Sequence, residues 1–199
     1  MTNFFTEADT DELLQSTISI KMCDDASWLC VEDRPCKPEM NWLLSFWGGY
    51  KIAPRAWDQV KQNEAHRMLF QCEKGKHTDY VRIRSRAINT FLFFLGIKQS
   101  CIWVAWDRDV AGGEWEDLKL EWVGSTPGLD GSLHGNERGR VIIHSRHMKA
   151  YVSWNGSHFT HVSNREGATV FMFQRVAPRP ASEPSASSRP EQCGKDGRG

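Results

Sequence analysis

The sequence predicts an α+β fold: a curved antiparallel sheet of five to seven strands, mostly in the C-terminal half, packed against two or three helices as an open barrel or cone. Three observations lead there. All nine tryptophans lie between Trp28 and Trp154, and indole rings need both apolar packing and a partner for the N–H, so one aromatic-rich core spans most of the chain. After residue 100, apolar and polar residues alternate in short runs broken by turn residues, which is the period of strands. Before residue 100, two stretches carry helical spacing.

Taken in chain order, Thr10-Asp11-Glu12-Leu13-Leu14 has the form of a capped helix start, and the β-branched run Thr17-Ile18-Ser19-Ile20 turns it into extended chain. Residues 22–50 predict loops and one short buried piece, Trp42 to Trp47, closed by Gly48-Gly49. A helix is predicted from Pro54 to Cys72, with Trp57, Val60, Met68 and Cys72 along one stripe. Tyr80 to Arg84 alternates as a strand, and Ser85 reads as the cap of a second helix, Arg86 to Leu95, ended by Gly96.

Six strands follow: Cys101 to Asp107, Asp117 to Val123, Arg140 to Ser145, Lys149 to Trp154, Ser157 to Val162 and Ala168 to Arg175. Asn155-Gly156 predicts a two-residue type I′ hairpin that pairs Trp154 with Ser157 and Val152 with Phe159. Trp154, Val152, Ala150, Phe159 and His161 then share one face, and Ser153, Tyr151, Lys149, His158 and Thr160 the other. No internal repeat is read from the sequence.

Residues 1–176 are predicted to form a single domain. Residues 177–199, rich in Pro, Ser and Gly with no apolar periodicity, predict a disordered tail. The 25 basic and 25 acidic residues cancel overall, yet they segregate. Residues 1–40 and 107–121 are acidic, whereas 51–98 and 138–165 are basic, a pattern that favours internal pairing or an acidic partner. The start Met1 to Glu7 lacks a basic region ahead of an apolar run, and the six cysteines form no compact framework. Reduced thiols and a cytoplasmic location are the resulting expectations. Phe91 to Ile97, the longest apolar run, is far short of the roughly 20 residues of a membrane span.

Function is read first as non-catalytic binding of a small molecule or an acidic protein. Trp122, Trp154, Phe159 and Tyr151 are the candidate ligand-binding residues of an aromatic-lined pocket, and Arg138, Arg140, Arg146 and Lys149 the candidate acidic-partner face. A second reading is a small cofactor-independent lyase, isomerase or hydrolase, in which His161 acts as general base oriented by a carboxylate such as Asp107. A third is RNA binding through the basic 138–165 face, with Arg165 and Tyr151 joining phosphate contacts to stacking. No cofactor or metal is called for. The pairs His144/His147 and His158/His161 place their rings on opposite faces of a strand, and the glycine-rich stretches lack a phosphate-loop Lys-Ser/Thr.

Overall fold

A computed structural model describes residues 4–23, 27–35, 50–60, 62–97, 100–105, 115–123 and 139–176. Twelve strands dominate it: β1 (Thr17–Met22), β2 (Trp28–Pro35), β3 (Tyr50–Arg55), β4 (Phe70–Lys74), β5 (Val81–Ser85), β6 (Leu92–Ile97), β7 (Ser100–Ala105), β8 (Leu118–Val123), β9 (Arg140–Ser145), β10 (Ala150–Trp154), β11 (Phe159–Val162) and β12 (Val170–Arg175). Every pairing is antiparallel. Tracing them, β1 pairs β4, β4 pairs β5, β5 pairs β8, β8 pairs β9, β9 pairs β12, and β12 returns to β1. That is a closed six-stranded barrel. The hairpins β2–β3, β6–β7 and β10–β11 stand on it, with β3 paired to β7.

The registers show that the barrel is built from three equivalent units, β1–β4, β5–β8 and β9–β12. Phe70 opposite Ser85, Leu118 opposite Ser145 and Phe171 opposite Met22 occupy one position in turn. Ile18 opposite Phe70, Val81 opposite Leu118 and Val141 opposite Phe171 occupy another. The sequence carries this repeat: Val81-Arg82-Ile83-Arg84-Ser85-Arg86 and Val141-Ile142-Ile143-His144-Ser145-Arg146 share V-x-I-x-S-R, and Ile18-Ser19-Ile20-Lys21-Met22-Cys23 fills the same place. In each unit the residue after this strand donates its backbone N–H to the start of the neighbouring barrel strand, Cys23 to Val170, Arg86 to Leu69 and Arg146 to Asp117, at 2.9–3.1 Å.

The alternation of inward residues explains the core. Ile18, Ile20, Met22, Phe70, Cys72, Ile83, Leu118, Val141, Ile143, Phe171 and Phe173 are all buried, so apolar area from six strands is removed from water in one place. The N-terminal segment adds to it: Phe5 donates its N–H to the Phe173 carbonyl at 2.9 Å, and Phe5 and Leu13 are wholly buried. The helix start read from Thr10 is a single turn, Thr10–Leu13.

These findings correct the α+β expectation. The architecture is mostly β, and among the described residues the remaining helical pieces are 3-10 turns, Glu7–Asp9, Trp57–Gln59 and Gln62–Met68. The expected helix from Pro54 to Cys72 is the end of β3, two such turns and β4. The expected helix Arg86 to Leu95 is a tight turn followed by β6. Its run Leu92 to Ile97 is apolar at every position, and a short apolar run reads equally as a buried strand or a buried helix until partners decide. Ser85 does not cap a helix; its hydroxyl accepts the Ala87 N–H at 3.2 Å and shapes the turn, as Ser145 does for Met148 at 3.3 Å. The repeat V-x-I-x-S-R, together with its partial copy at 18–23, is the sequence signature of the three units.

The hairpin β10–β11 also departs from the expected register. Trp154 pairs Phe159 and Val152 pairs His161, leaving a four-residue loop Asn155-Gly156-Ser157-His158. The Asn155 side-chain oxygen accepts both the Ser157 and the His158 N–H at 3.0 Å. This closes the wider loop, and only Gly156 takes positive φ (91°), so the type I′ requirement for two such residues is not met. A shift of two residues preserves which face each side chain occupies.

Behind the turn joining β4 to β5 lies a buried anchor. Asp117, fully buried, accepts hydrogen bonds from Arg82 Nε at 2.9 Å and from the Lys76 backbone N–H at 3.1 Å, and its other oxygen is 3.9 Å from His77 Nε2. Arg146 lies over the Tyr80 ring at 5.3 Å. The first two units and the third are tied together here.

Two outcomes follow for stability. Replacing Asp117 by Ala leaves the mostly buried Arg82 guanidinium without its carboxylate, an effect of about 3–5 kcal/mol for a broken buried pair; chemical denaturation of the variant reads it directly. Lys149, at φ 50° in the turn between β9 and β10, holds a left-handed conformation that glycine adopts without strain. Lys149→Gly is expected to raise stability by up to about 1 kcal/mol, measured as a higher denaturation midpoint at unchanged slope.

Candidate functional site

The first unit carries the cleft. Against β2 and the end of β3, and bordered by the 3-10 turns at 57–59 and 62–68, lies a cavity of about 200 Å³ lined by Cys30, Val31, Glu32, Arg55, Gln59, Val60, Glu64 and Arg67. Antiparallel pairing of β2 with β3 brings Trp28 opposite Arg55. Arg55 Nη2 meets Glu32 Oε1 at 3.1 Å. Arg67 Nη1 donates to the Glu32 carbonyl at 2.7 Å, so this guanidinium is fixed to the strand backbone. Cys30 forms part of the wall, only 7% exposed; burial pushes its thiol up to about 11, so it lines the cleft as a neutral thiol rather than a nucleophile.

Beside this cleft stands Trp57. It lies in the chain between the lining residues Arg55 and Gln59, it is 58% exposed, and it is the exposed large hydrophobic residue among those described. Its ring meets Trp28 edge-on, 5.5 Å between centroids at 63°. The two indoles thus pack together while Trp57 keeps more than half of its surface in water. The helical spacing of the sequence places Trp57 in a buried stripe, whereas it is exposed, and the cleft residues carry no local signal because Glu32, Arg55 and Arg67 meet only once β2 pairs β3 and the following turns fold back.

The residues singled out from sequence fall elsewhere. Phe159 belongs to the core, Trp154 and Trp122 pack against it, and Trp154 and Phe159 lie 4.9 Å apart. Tyr151 is half-buried on the outer face and donates its hydroxyl to Glu121 at 3.3 Å; burial first and then Glu121 hold its phenol above the usual range. His161 is half-buried on β11 opposite Val152, and its Nδ1 is enclosed with no hydrogen-bond partner. Asp107 and Arg138 lie outside the described residues. Among the described residues no carboxylate pairs with His161, and the one His–carboxylate approach is His77 to Asp117 at 3.9 Å.

The basic residues do not share a patch. Arg140 opens β9 while Arg146 and Lys149 sit in the turn past its other end, a separation of roughly 20 Å at strand rise. Arg146 is engaged with Tyr80. A continuous track of phosphate contacts, which RNA binding through these residues needs, is not formed by them.

The outer face repeats a motif of its own. At equivalent positions a basic residue of the first strand pairs with an aromatic residue of the second: Lys21 with Trp28, Arg84 with Phe91 and His144 with Tyr151. Their contacts are 6.0 Å from Lys21 Nζ to the ring, 4.0 Å from Arg84 Cζ to the ring, and 4.9 Å between the His144 and Tyr151 centroids. Burial lowers the His144 pKa below its ordinary 6.5, opposed by Glu121 and aided by Lys119.

The sign of the His144 effect is fixed by that direction. Because the folded chain binds this proton less readily than the unfolded chain, stability falls as pH drops through 6.5 and levels off below the lowered native value. His144→Gln is expected to flatten this part of the melting temperature–pH curve, while leaving the neutral-pH side parallel to wild type.

No family model and no curated protein matches the sequence. Solved structures do match its shape. A designed three-fold symmetric protein, ThreeFoil, aligns with TM-score 0.54 at 10% identity over 80% of this chain and 99% of that chain. The apo BEL beta-trefoil aligns with TM-score 0.53 at 11% identity over 81% of this chain and 93% of that one. The ricin B-like lectin of Macrolepiota procera, solved in complex with lactose, aligns with TM-score 0.52 at 9% identity over 80% and 95%. With the closed barrel, the three hairpins and the three equivalent units, these likenesses show that the chain has the β-trefoil fold.

Proposed function

We propose that this chain is a non-enzymatic saccharide-binding protein whose site is the first-unit cleft beside Trp57. The observation that carries this reading is an indole 58% exposed in a chain whose other described large hydrophobic side chains are buried or half-buried, set in the chain between Arg55 and Gln59, which line a cavity of acidic, basic and amide groups. A pyranose has an apolar C–H face that stacks on such a ring and a rim of hydroxyls that donate and accept at once. Glu32 and Glu64 supply acceptors, Arg55 and Arg67 donors, and Gln59 both. The two acids and two bases balance, which suits an uncharged sugar better than an anion. The lactose held by the Macrolepiota procera lectin on a similar scaffold is consistent with this class of ligand.

Trp57→Ala tests it. The side chain is mostly exposed, so folding stability is expected to change by no more than about 0.5–1 kcal/mol. Binding to an array of neutral mono- and oligosaccharides, lactose included, is expected to weaken by on the order of tenfold or more, as for loss of a stacked aromatic anchor. No saccharide binding by the wild-type chain would overturn the reading.

A further inference from the structure

Three equivalent positions on the outer face carry a basic–aromatic pair, and their fates differ. In the second unit Phe91 is 9% exposed, because Arg84 and Arg82 lie over its ring at 4.0 and 5.6 Å. Arg84 is in turn locked by Glu73 at 2.7 Å and by the Asn89 carbonyl at 3.0 Å. That position is filled by the protein's own side chains. In the third unit the covering group is replaced by an imidazole, and His144 meets Tyr151 at a steep 71° instead of lying over it. Tyr151 keeps part of its surface in water.

Around this ring the hydrogen-bonding groups are already held in place. The Glu121 carboxylate receives the Tyr151 hydroxyl at 3.3 Å from each oxygen. Arg165 Nε stands 3.9 Å from the same carboxylate and its Nη2 donates to the Trp122 carbonyl at 3.2 Å. A phenol, a carboxylate and a guanidinium are thus presented together without a further ordering step, a preorganised array in the sense that raises affinity. Glu121 is the equivalent of Glu73 by register, since Leu118 opposite Ser145 matches Phe70 opposite Ser85. The acid that holds Arg84 in the second unit thus has a counterpart that holds the Tyr151 hydroxyl in the third.

We infer that the third-unit face of Tyr151, Glu121, Arg165 and His144 is a second saccharide-binding site, a third of a turn around the barrel from the Trp57 cleft, so that the chain is bivalent. This rests on the reading of the protein as a saccharide binder. Two sites facing different directions on one rigid barrel hold a ligand-bearing surface by avidity, which multiplies the strength of individually weak contacts. They also let one chain bridge two such surfaces.

The test compares wild type, Trp57→Ala, Tyr151→Ala and the double variant on a printed array of neutral oligosaccharides that includes lactose, with the melting temperature of each variant recorded. Tyr151→Phe, which keeps the ring and removes the hydroxyl held by Glu121, provides a second variant should Tyr151→Ala unfold. Each single variant is expected to retain binding while losing at least tenfold in apparent affinity on the array, and the double variant to bind nothing. Abolition of all binding by Trp57→Ala, with Tyr151→Ala and Tyr151→Phe indistinguishable from wild type, would overturn the second site and leave the first-unit reading intact. Absence of binding by wild type would remove both.

Discussion

Everything in this molecule depends on one pairing, that of the first barrel strand with the last. Ile20 opposite Phe173 and Met22 opposite Phe171 join residues from opposite ends of the chain, and they convert what would be two open sheet edges into a closed surface. An edge left unpaired would expose a row of backbone donors and acceptors and open the core it borders. Val176 extends the seam through a bond to Thr17 at 3.0 Å, and the N-terminal segment lies along the other edge of β12, where Phe5 bonds Phe173 at 2.9 Å. Loop closure over such a separation costs entropy before any contact is gained. The rings of Phe171 and Phe173, fully buried, supply apolar burial that offsets it.

Closure fixes the outside as firmly as the inside. Once Ile18, Ile20 and Met22 point inward, Lys21 points outward, and the three-unit register forces Arg84 and His144 to the same station. The partner strand then delivers Trp28, Phe91 and Tyr151 opposite them. The repeated cation–aromatic contact is therefore a consequence of alternation and symmetry rather than of local sequence preference. At this station the second and third units differ in how far the ring is covered. Arg84 reaches across Phe91; the shorter imidazole of His144 does not reach across Tyr151 in the same manner.

The C-terminal half was legible because short apolar runs are bracketed by turn residues. Arg140 to Ser145 was delimited to the residue, and the other five strands to within a few positions. The N-terminal half was not. Met68 and Cys72 are both buried at helical spacing, but one ends a 3-10 turn and the other faces inward from β4; the 3.6-residue match was a coincidence of two different periods. Leu92 to Ile97 carries no alternation to read. The V-x-I-x-S-R repeat was present but too short to stand out, and its third copy keeps only the inward isoleucine of the motif. The cleft was the least legible feature, because Glu32, Arg55 and Arg67 become neighbours only through pairing of β2 with β3 and a bond from Arg67 back to the β2 backbone.

The position of the cleft follows from where the fold tolerates extra chain. In the third unit the connection from β11 to β12 runs only from 163 to 169, whereas in the first the connection from β3 to β4 runs from 56 to 69 and coils into two 3-10 turns. Barrel closure is indifferent to this length, because the connection lies outside the six paired strands and a longer surface loop costs little more than a short one. The added residues bring Trp57, Gln59, Glu64 and Arg67 over the outer side of β2. Without them the first unit would present only Trp28 beneath Lys21, the same shallow platform as the third. With them it gains a wall and an exposed indole, so that two equivalent stations on one symmetric barrel become a cleft in one unit and an open face in another.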